Sequence, residues 1–287
     1  MTRTFKEQRG FFTFVQNNAE TDYLTLAYAQ ALSIKCTQQI NSYAIAVDDV
    51  TKELITDKHR KVFDYIIDIK DDAAKDDTWK LKNEWKAWWL TPFKETIKLE
   101  SDILFTTNID HWWDGLQQKE ICLTSSIRNY EGEVSHCRSY RKLIDDNHLP
   151  DVYNGIMYFR YGKISKEFFI CARYIFENWD QFKTDLLKNC RDNEPTTDIV
   201  FSIAAEMVGL ENCTNPILSY PTFVHMKGAI QEWELNTDWT EKLYAQVTDD
   251  YGLQVGFTRQ QYPFHYQQKH FITSDIIEQY ERKFISD

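Results

Sequence analysis

Glycine and proline are scarce in this chain of 287 residues, with 9 and 6 copies. Neither a GxGxxG string nor a GxxxxGK followed by Ser or Thr occurs, so no glycine-rich loop is available to cradle a phosphate through backbone N–H groups. A phosphate ligand must be held by other means. No run of 18 apolar residues exists, which leaves no candidate membrane-spanning helix. The first residues, Met1 to Glu7, are polar and lack a signal-peptide core. No CxxC occurs, and the six cysteines (36, 122, 137, 171, 190, 213) are scattered. They read as reduced thiols and not as a zinc site or a disulfide frame, which points to a cytoplasmic chain. Basic residues are in deficit, 33 against 44 acidic, for a net charge of −11. A protein that coats nucleic acid by charge alone is thereby excluded. A divalent cation is instead a natural partner for joining an acidic protein to a diphosphate.

What is present is a globular composition, 43% hydrophobic and 27% charged, with 15% aromatics. Phe11 to Val15 reads as a buried strand, followed by a helix capped by Thr21 with Leu24, Ala27, Tyr28, Ala31 and Leu32 on its apolar face. Tyr43 to Val47, ending in Asp48 and Asp49, and Tyr65 to Ile69 read as further strands. Strand–helix alternation of this kind predicts an α/β fold with a mainly parallel sheet flanked by helices. A helix is expected over 77–90, carrying Trp79, Trp85, Trp88 and Trp89 as packing residues. Strands are expected at 96–99, 153–159 and 223–226, and a long amphipathic helix over 165–189. The expected organisation is one domain over 1–235 with an extension, 236–287, that packs back on it.

The strongest local signal is Glu100-Ser101-Asp102, directly after the strand at 96–99. Ligands of open α/β sheets bind at the carboxyl ends of the strands. Two carboxylates two residues apart at such an end can share a hard cation such as Mg²⁺ or Mn²⁺. A plain acidic turn is the alternative reading of the same residues.

The order of these features resembles the nucleotide-sugar glycosyltransferases of the GT-A fold, with motifs similar to the glycogenin-like family. The wording is closest to glycosyltransferases encoded by tailed bacteriophages. It is carried by Phe14-Val15-Gln16-Asn17, by the run from Thr91 to Asp102, by Trp112-Trp113-Asp114, by Leu149 to Tyr153, and by Tyr262 to Tyr266. The resemblance implies a GT-A (Rossmann-like) single domain that moves a sugar from a nucleotide-sugar donor, a UDP-sugar in the family, to an acceptor hydroxyl. It implies Glu100, Asp102 and His225 as metal ligands. His225 opens His225-x-x-Gly228-x-x-Gln231-x-Trp233, which matches the family's HxxGxxKPW except at Gln231 and Glu232. Lys227 is then the nearest substitute for the family's diphosphate lysine. Ser101, Asn154, Gly155 and Gly228 fall on the donor site, Lys82 on a basic residue reaching the donor, and Asn17 and Tyr23 on the uridine edge. The resemblance also implies Asp198 as the catalytic carboxylate, in the stretch where the family has an Asp-Gln pair. Phages of this group glycosylate hydroxymethylated bases in their own DNA, so the resemblance also implies a DNA acceptor, hydroxymethylated cytosine or a related base. Arg128, Arg138, Arg141 and Lys142, interleaved with Tyr130, His136 and Tyr140, are the residues offered for phosphate contact. A solvated face pairing with Glu131, Glu133 and Asp145 is the alternative. A saccharide or protein acceptor, a sugar nucleotidyltransferase and a non-catalytic sugar-nucleotide-binding protein stay open.

Overall fold

A computed structural model describes residues 3–286. Met1, Thr2 and Asp287, the outer ends of the segments 1–235 and 236–287, lie outside the described residues. Six strands form the central sheet: β1 (Glu7–Val15), β2 (Tyr43–Val47), β3 (Tyr65–Asp68), β4 (Phe93–Leu99), β6 (Ile121–Thr124) and β7 (Tyr153–Arg160). Their order is β3-β2-β1-β4-β7-β6. The first four run parallel, and β7 lies antiparallel to both β4 and β6. The class is thus α/β with a mixed, mainly parallel sheet flanked by helices.

Alternation along the strands builds two cores, because successive side chains leave a strand on opposite faces. Phe11, Val15, Ile45, Ile97 and Leu99 face one core. Phe12, Phe14, Ala44, Met157 and Phe159 face the other. The helix Tyr23–Thr37 covers the first face. Helices Lys163–Glu177 and Thr197–Val208 pack on each other over the second. The chain reverses its winding direction between β1 and β4, so the crevice at the carboxyl ends of those two strands is the topological switch point.

Three local expectations are corrected. Asp22, not Thr21, caps the Tyr23–Thr37 helix, accepting from Thr25 N at 3.1 Å. The long helix over 165–189 is broken at Asn178 into Lys163–Glu177 and Trp179–Asp185. Asn178 Nδ2 donates to Tyr174 O at 2.8 Å, a bond to the preceding turn that competes with continuing the helix. Residues 80–90 form a 3₁₀ segment, Lys80–Lys86, and a single α turn, Ala87–Leu90. There Asn83 and Lys86 point polar atoms inward, to Gln16 Oε1 at 2.9 Å and Lys70 O at 2.8 Å. Trp85, Trp88 and Trp89 pack as a cluster, whereas Trp79 stands 62% exposed.

Two small sheets complete the molecule. β5 (Ile103–Leu104) and β8 (Val224–His225) flank β12 (Phe264–His265), which is antiparallel to β5 and parallel to β8. β9 (Ala245–Val247), β10 (Leu253–Val255) and β11 (Thr258–Arg259) form an antiparallel meander. The helix Ser274–Ser286 packs on Tyr23–Thr37, with Tyr28 Oη donating to Glu281 Oε1 at 2.8 Å. Among the described residues no helix is long and apolar enough to cross a membrane.

Candidate functional site

β4 ends at Leu99, and Glu100 N donates to Gly155 O at 3.0 Å, so the acidic turn stays tied to β7 as it leaves the sheet. Gly155 has no side chain because a Cβ there would lie 2.6 Å from the Phe223 ring. Glu100 and Asp102 emerge at the switch point. The β12–β8 register sets His265 beside His225, and its other edge sets His265 beside Ile103. His265 thereby reaches the acidic turn. Its Nε2 lies 2.7 Å from Asp102 Oδ2 and 3.6 Å from Glu100 Oε2. Glu100, Asp102 and His265 each offer one ligand atom, all within 4.8 Å of one another. Two carboxylate oxygens and one imidazole nitrogen suit Mn²⁺ or Mg²⁺, so these residues fit a divalent cation.

Sequence reasoning named His225 and missed His265. The His225 ring stacks on that of His265, with centroids 4.4 Å apart and planes 29° from parallel. His225 Nδ1 and His265 Nδ1 are both buried without a hydrogen-bond partner. The group that gathers around one point contains His265, with His225 stacked on its ring.

Two adjoining cavities open at this cluster, of about 340 and about 280 Å³. Trp79, Leu81, Glu100, His265 and Gln267 line both. The first also takes in Tyr23, Ser101, Asp102 and Lys269. The second takes in Asn154, Gly155, Asp198, His225 and Lys227. Three residues expected at the donor site line neither cavity. Asn17 is used locally: its Nδ2 donates to Asp22 Oδ1 and its Oδ1 accepts from Leu24 N, both at 2.9 Å. Lys82 pairs with Asp77 at 2.9 Å and Glu194 at 3.0 Å. Gly228 permits close backbone packing, since a Cβ would lie 2.3 Å from Glu234 O.

Polar contacts fix the carboxylates. Asn154 Nδ2 donates to Glu100 Oε1 at 3.1 Å, and Asn154 Oδ1 accepts from the buried Lys98 Nζ at 3.1 Å. Lys98 also pairs with Glu84. Asp198, in the first turn of Thr197–Val208, accepts from Asn154 N at 2.8 Å and from Arg141 at 2.6 Å. Lys98, Glu84 and Lys269 were not among the expected site residues. A lysine set between Ile97 and Leu99, just before the acidic turn, was the signal for the first.

Charge sets the protonation states. Burial pushes Asp102 up, but His265 and Lys269 outweigh it and hold the carboxyl below the usual carboxylate range. Burial opposes the charged form of His265, yet Asp102, and then Glu100, raise it above its ordinary value. Burial raises Glu100, with His265 opposing and Asp102 and Asp198 adding to the rise. His225 is pushed well down by burial, and further by His265 and Lys227, so it is neutral.

Three of the four basic residues offered for DNA phosphates are engaged within the chain. Arg141 is 3% exposed and pairs with Asp151 at 2.8 Å and Asp198 at 2.6 Å. Arg138 pairs with Asp145 and Asp151. Arg128 donates to Gly132 O at 2.8 Å and lies 4.2 Å over the Tyr262 ring. Of the four, Lys142 is the exposed one for which no ion pair is seen among the described residues. A guanidinium already paired with two carboxylates has less left for a phosphate.

A scan against models of protein families finds no match, and a search of curated proteins finds none. A search of solved structures does find similar chains. One is the WbbM bifunctional glycosyltransferase, 12% identical over 84% of this chain and 44% of that one, with a TM-score of 0.48. This chain thus spans less than half of that protein's length. Another is mouse xyloside xylosyltransferase 1, 12% identical over 90% of this chain and 97% of that one, with a TM-score of 0.49. A third is the galactosyltransferase LgtC, solved with donor and acceptor sugar analogues, 12% identical over 62% of this chain and 66% of that one, with a TM-score of 0.41.

Proposed function

We propose that this chain is a metal-dependent glycosyltransferase of GT-A type that moves a sugar from a nucleotide-sugar donor, a UDP-sugar in the first instance, to an acceptor hydroxyl. One observation carries the reading: Glu100, Asp102 and His265 converge within 4.8 Å at the switch-point crevice, between two adjoining cavities. Glycosyl transfer needs two such compartments, one for the nucleotide and one for the sugar and its acceptor. A divalent cation bound by these residues would supply positive charge for the departing diphosphate. The protein's own residues do the rest. Tyr23 and Ser101 wall the nucleotide side. Asn154 orients Glu100, while Arg141 and Asn154 N fix the Asp198 carboxylate on the sugar side. There Asp198 stabilises positive charge at the anomeric carbon or accepts a hydrogen bond from the acceptor hydroxyl.

The acceptor favoured by the sequence resemblance is a hydroxymethylated base in phage DNA. The internal ion pairs of Arg138 and Arg141 favour a second reading, a saccharide acceptor, which needs no phosphate-binding face. Both are tested together. The chain is incubated with a panel of nucleotide sugars, Mn²⁺ or excess chelator, and either DNA with and without hydroxymethylcytosine or free saccharides. Products are read by mass spectrometry. The expected result is sugar transfer with Mn²⁺ that is lost in chelator and lost in Asp102→Ala. Full activity in chelator, or no turnover of any donor, overturns the proposal.

A further inference from the structure

We infer that Lys269 is a built-in counter-cation that holds the Asp102 carboxylate while no divalent cation is bound and moves onto the diphosphate of the nucleotide when cation and nucleotide bind together. The inference rests on the transferase reading and adds to it one residue and an order of events. Lys269 enters the crevice from the turn after β12, at the start of the short helix Lys269–Phe271. Its Nζ lies on Asp102 Oδ2, the same oxygen that meets His265 Nε2. Asp102 is buried, and a buried carboxylate without a partner is strongly disfavoured. The ammonium therefore stands where positive charge is required in the metal-free protein.

A divalent cation shared by Glu100, Asp102 and His265 would meet that ammonium at contact range in a weakly screened site, and like charges there repel. Lys269 is free to answer by moving. Its side chain is 36% exposed, and Asp102 is its single ion-pair partner among the described residues. It lines the first cavity. Lys80 is the other lysine on that wall, and its Nζ is spent on Ala74 O and Lys75 O, both at 2.8 Å. Lys227 lines the second cavity and lies over the Tyr140 ring at 4.2 Å. In the first cavity, then, Lys269 is the cation able to leave its carboxylate for an incoming anion, and a diphosphate offers it charge-assisted hydrogen bonds.

The exchange predicts effects of opposite sign in one variant. Mn²⁺ binding to the full chain is titrated calorimetrically without nucleotide, and UDP binding is titrated at saturating Mn²⁺. Lys269→Met removes the competitor, so Mn²⁺ alone should bind about tenfold more tightly. The same variant should bind UDP about tenfold more weakly, for want of the ammonium on the diphosphate. Lys269→Arg keeps the charge and should stay near the parent in both titrations. A thermal midpoint close to the parent's shows that each variant is folded. If Lys269→Met binds Mn²⁺ no better than the parent, or binds UDP as well, the exchange is wrong while the transferase reading stands. If the parent binds neither Mn²⁺ nor UDP, the transferase reading fails and takes this inference with it.

Discussion

Lys98 sits on β4 with its side chain fully buried, between Glu84 and Asn154 Oδ1. Through Asn154 it fixes the carboxylate of Glu100 without meeting any ligand itself, so it is a positioning residue. Removing one partner of a buried pair leaves an uncompensated charge, so Lys98→Met should lower folding stability by about 3 to 5 kcal/mol in denaturant titrations. Adding Glu84→Met should restore most of that loss, because no charge is then stranded. Divalent-cation affinity should stay reduced in the double variant, since Asn154 has lost the ammonium that orients it. Full recovery of cation affinity would make Lys98 structural alone. At this scale the acidic half of the site was legible and the basic half was not. Glu100 and Asp102 are two residues apart on one turn, so their convergence shows in the sequence. His265 lies 163 residues beyond Asp102, and only the pairing of two-residue strands joins them. Strands that short carry no alternation to read.

The central sheet was legible for the opposite reason. Phe11 to Val15, Tyr43 to Val47 and Ile97 to Leu99 are mostly apolar stretches, and they lie in β1, β2 and β4, though β1 and β4 begin earlier, at Glu7 and Phe93, where the sequence is mostly polar. The helix over 165–189 failed at Asn178 because a side-chain bond to the backbone is not a property of periodicity. β12 is the element whose disturbance should be felt most in the site. Phe264, fully buried against Trp239 and Phe271, anchors the strand that carries His265. Phe264→Ala should cost about 3 to 5 kcal/mol, as large-to-small core changes do. It should also weaken Mn²⁺ binding, because the histidine loses its register. Tyr28→Phe, which removes one partly buried hydrogen bond to Glu281, should cost only about 1 kcal/mol and leave Mn²⁺ binding unchanged. Calorimetry of both variants separates the two roles of the C-terminal region. Equal loss of cation affinity in the two would mean that β12 positions nothing in particular.

For the whole molecule, carboxylates gathered at one crevice are balanced from distant parts of the chain: Lys98 from β4, Arg141 from the loop before β7, and His265 and Lys269 from the last fifth of the chain. That balance makes the stability of the metal-free protein depend on pH in a direction that can be worked out. Asp102 is held below its ordinary value, so its contribution is complete above the unfolded carboxylate value, about 3.9, and is lost as pH falls through the lower folded one. His265 is raised, so its contribution is complete below the unfolded imidazole value, about 6.5, and is lost as pH rises through the higher folded one. The pair therefore stabilises the fold most between about pH 4 and 6.5. In chelator, the stability gap between the parent and Asp102→Asn should be widest in that window and narrow on both sides. On the alkaline side Lys269 keeps part of the gap open, because its own raised value leaves it charged well beyond neutrality. Denaturant titrations of both proteins across pH 3 to 9 measure the gap directly. A gap that stays level from pH 6 to 9 would mean that His265 is neutral beside Asp102, with Lys269 alone carrying the positive charge.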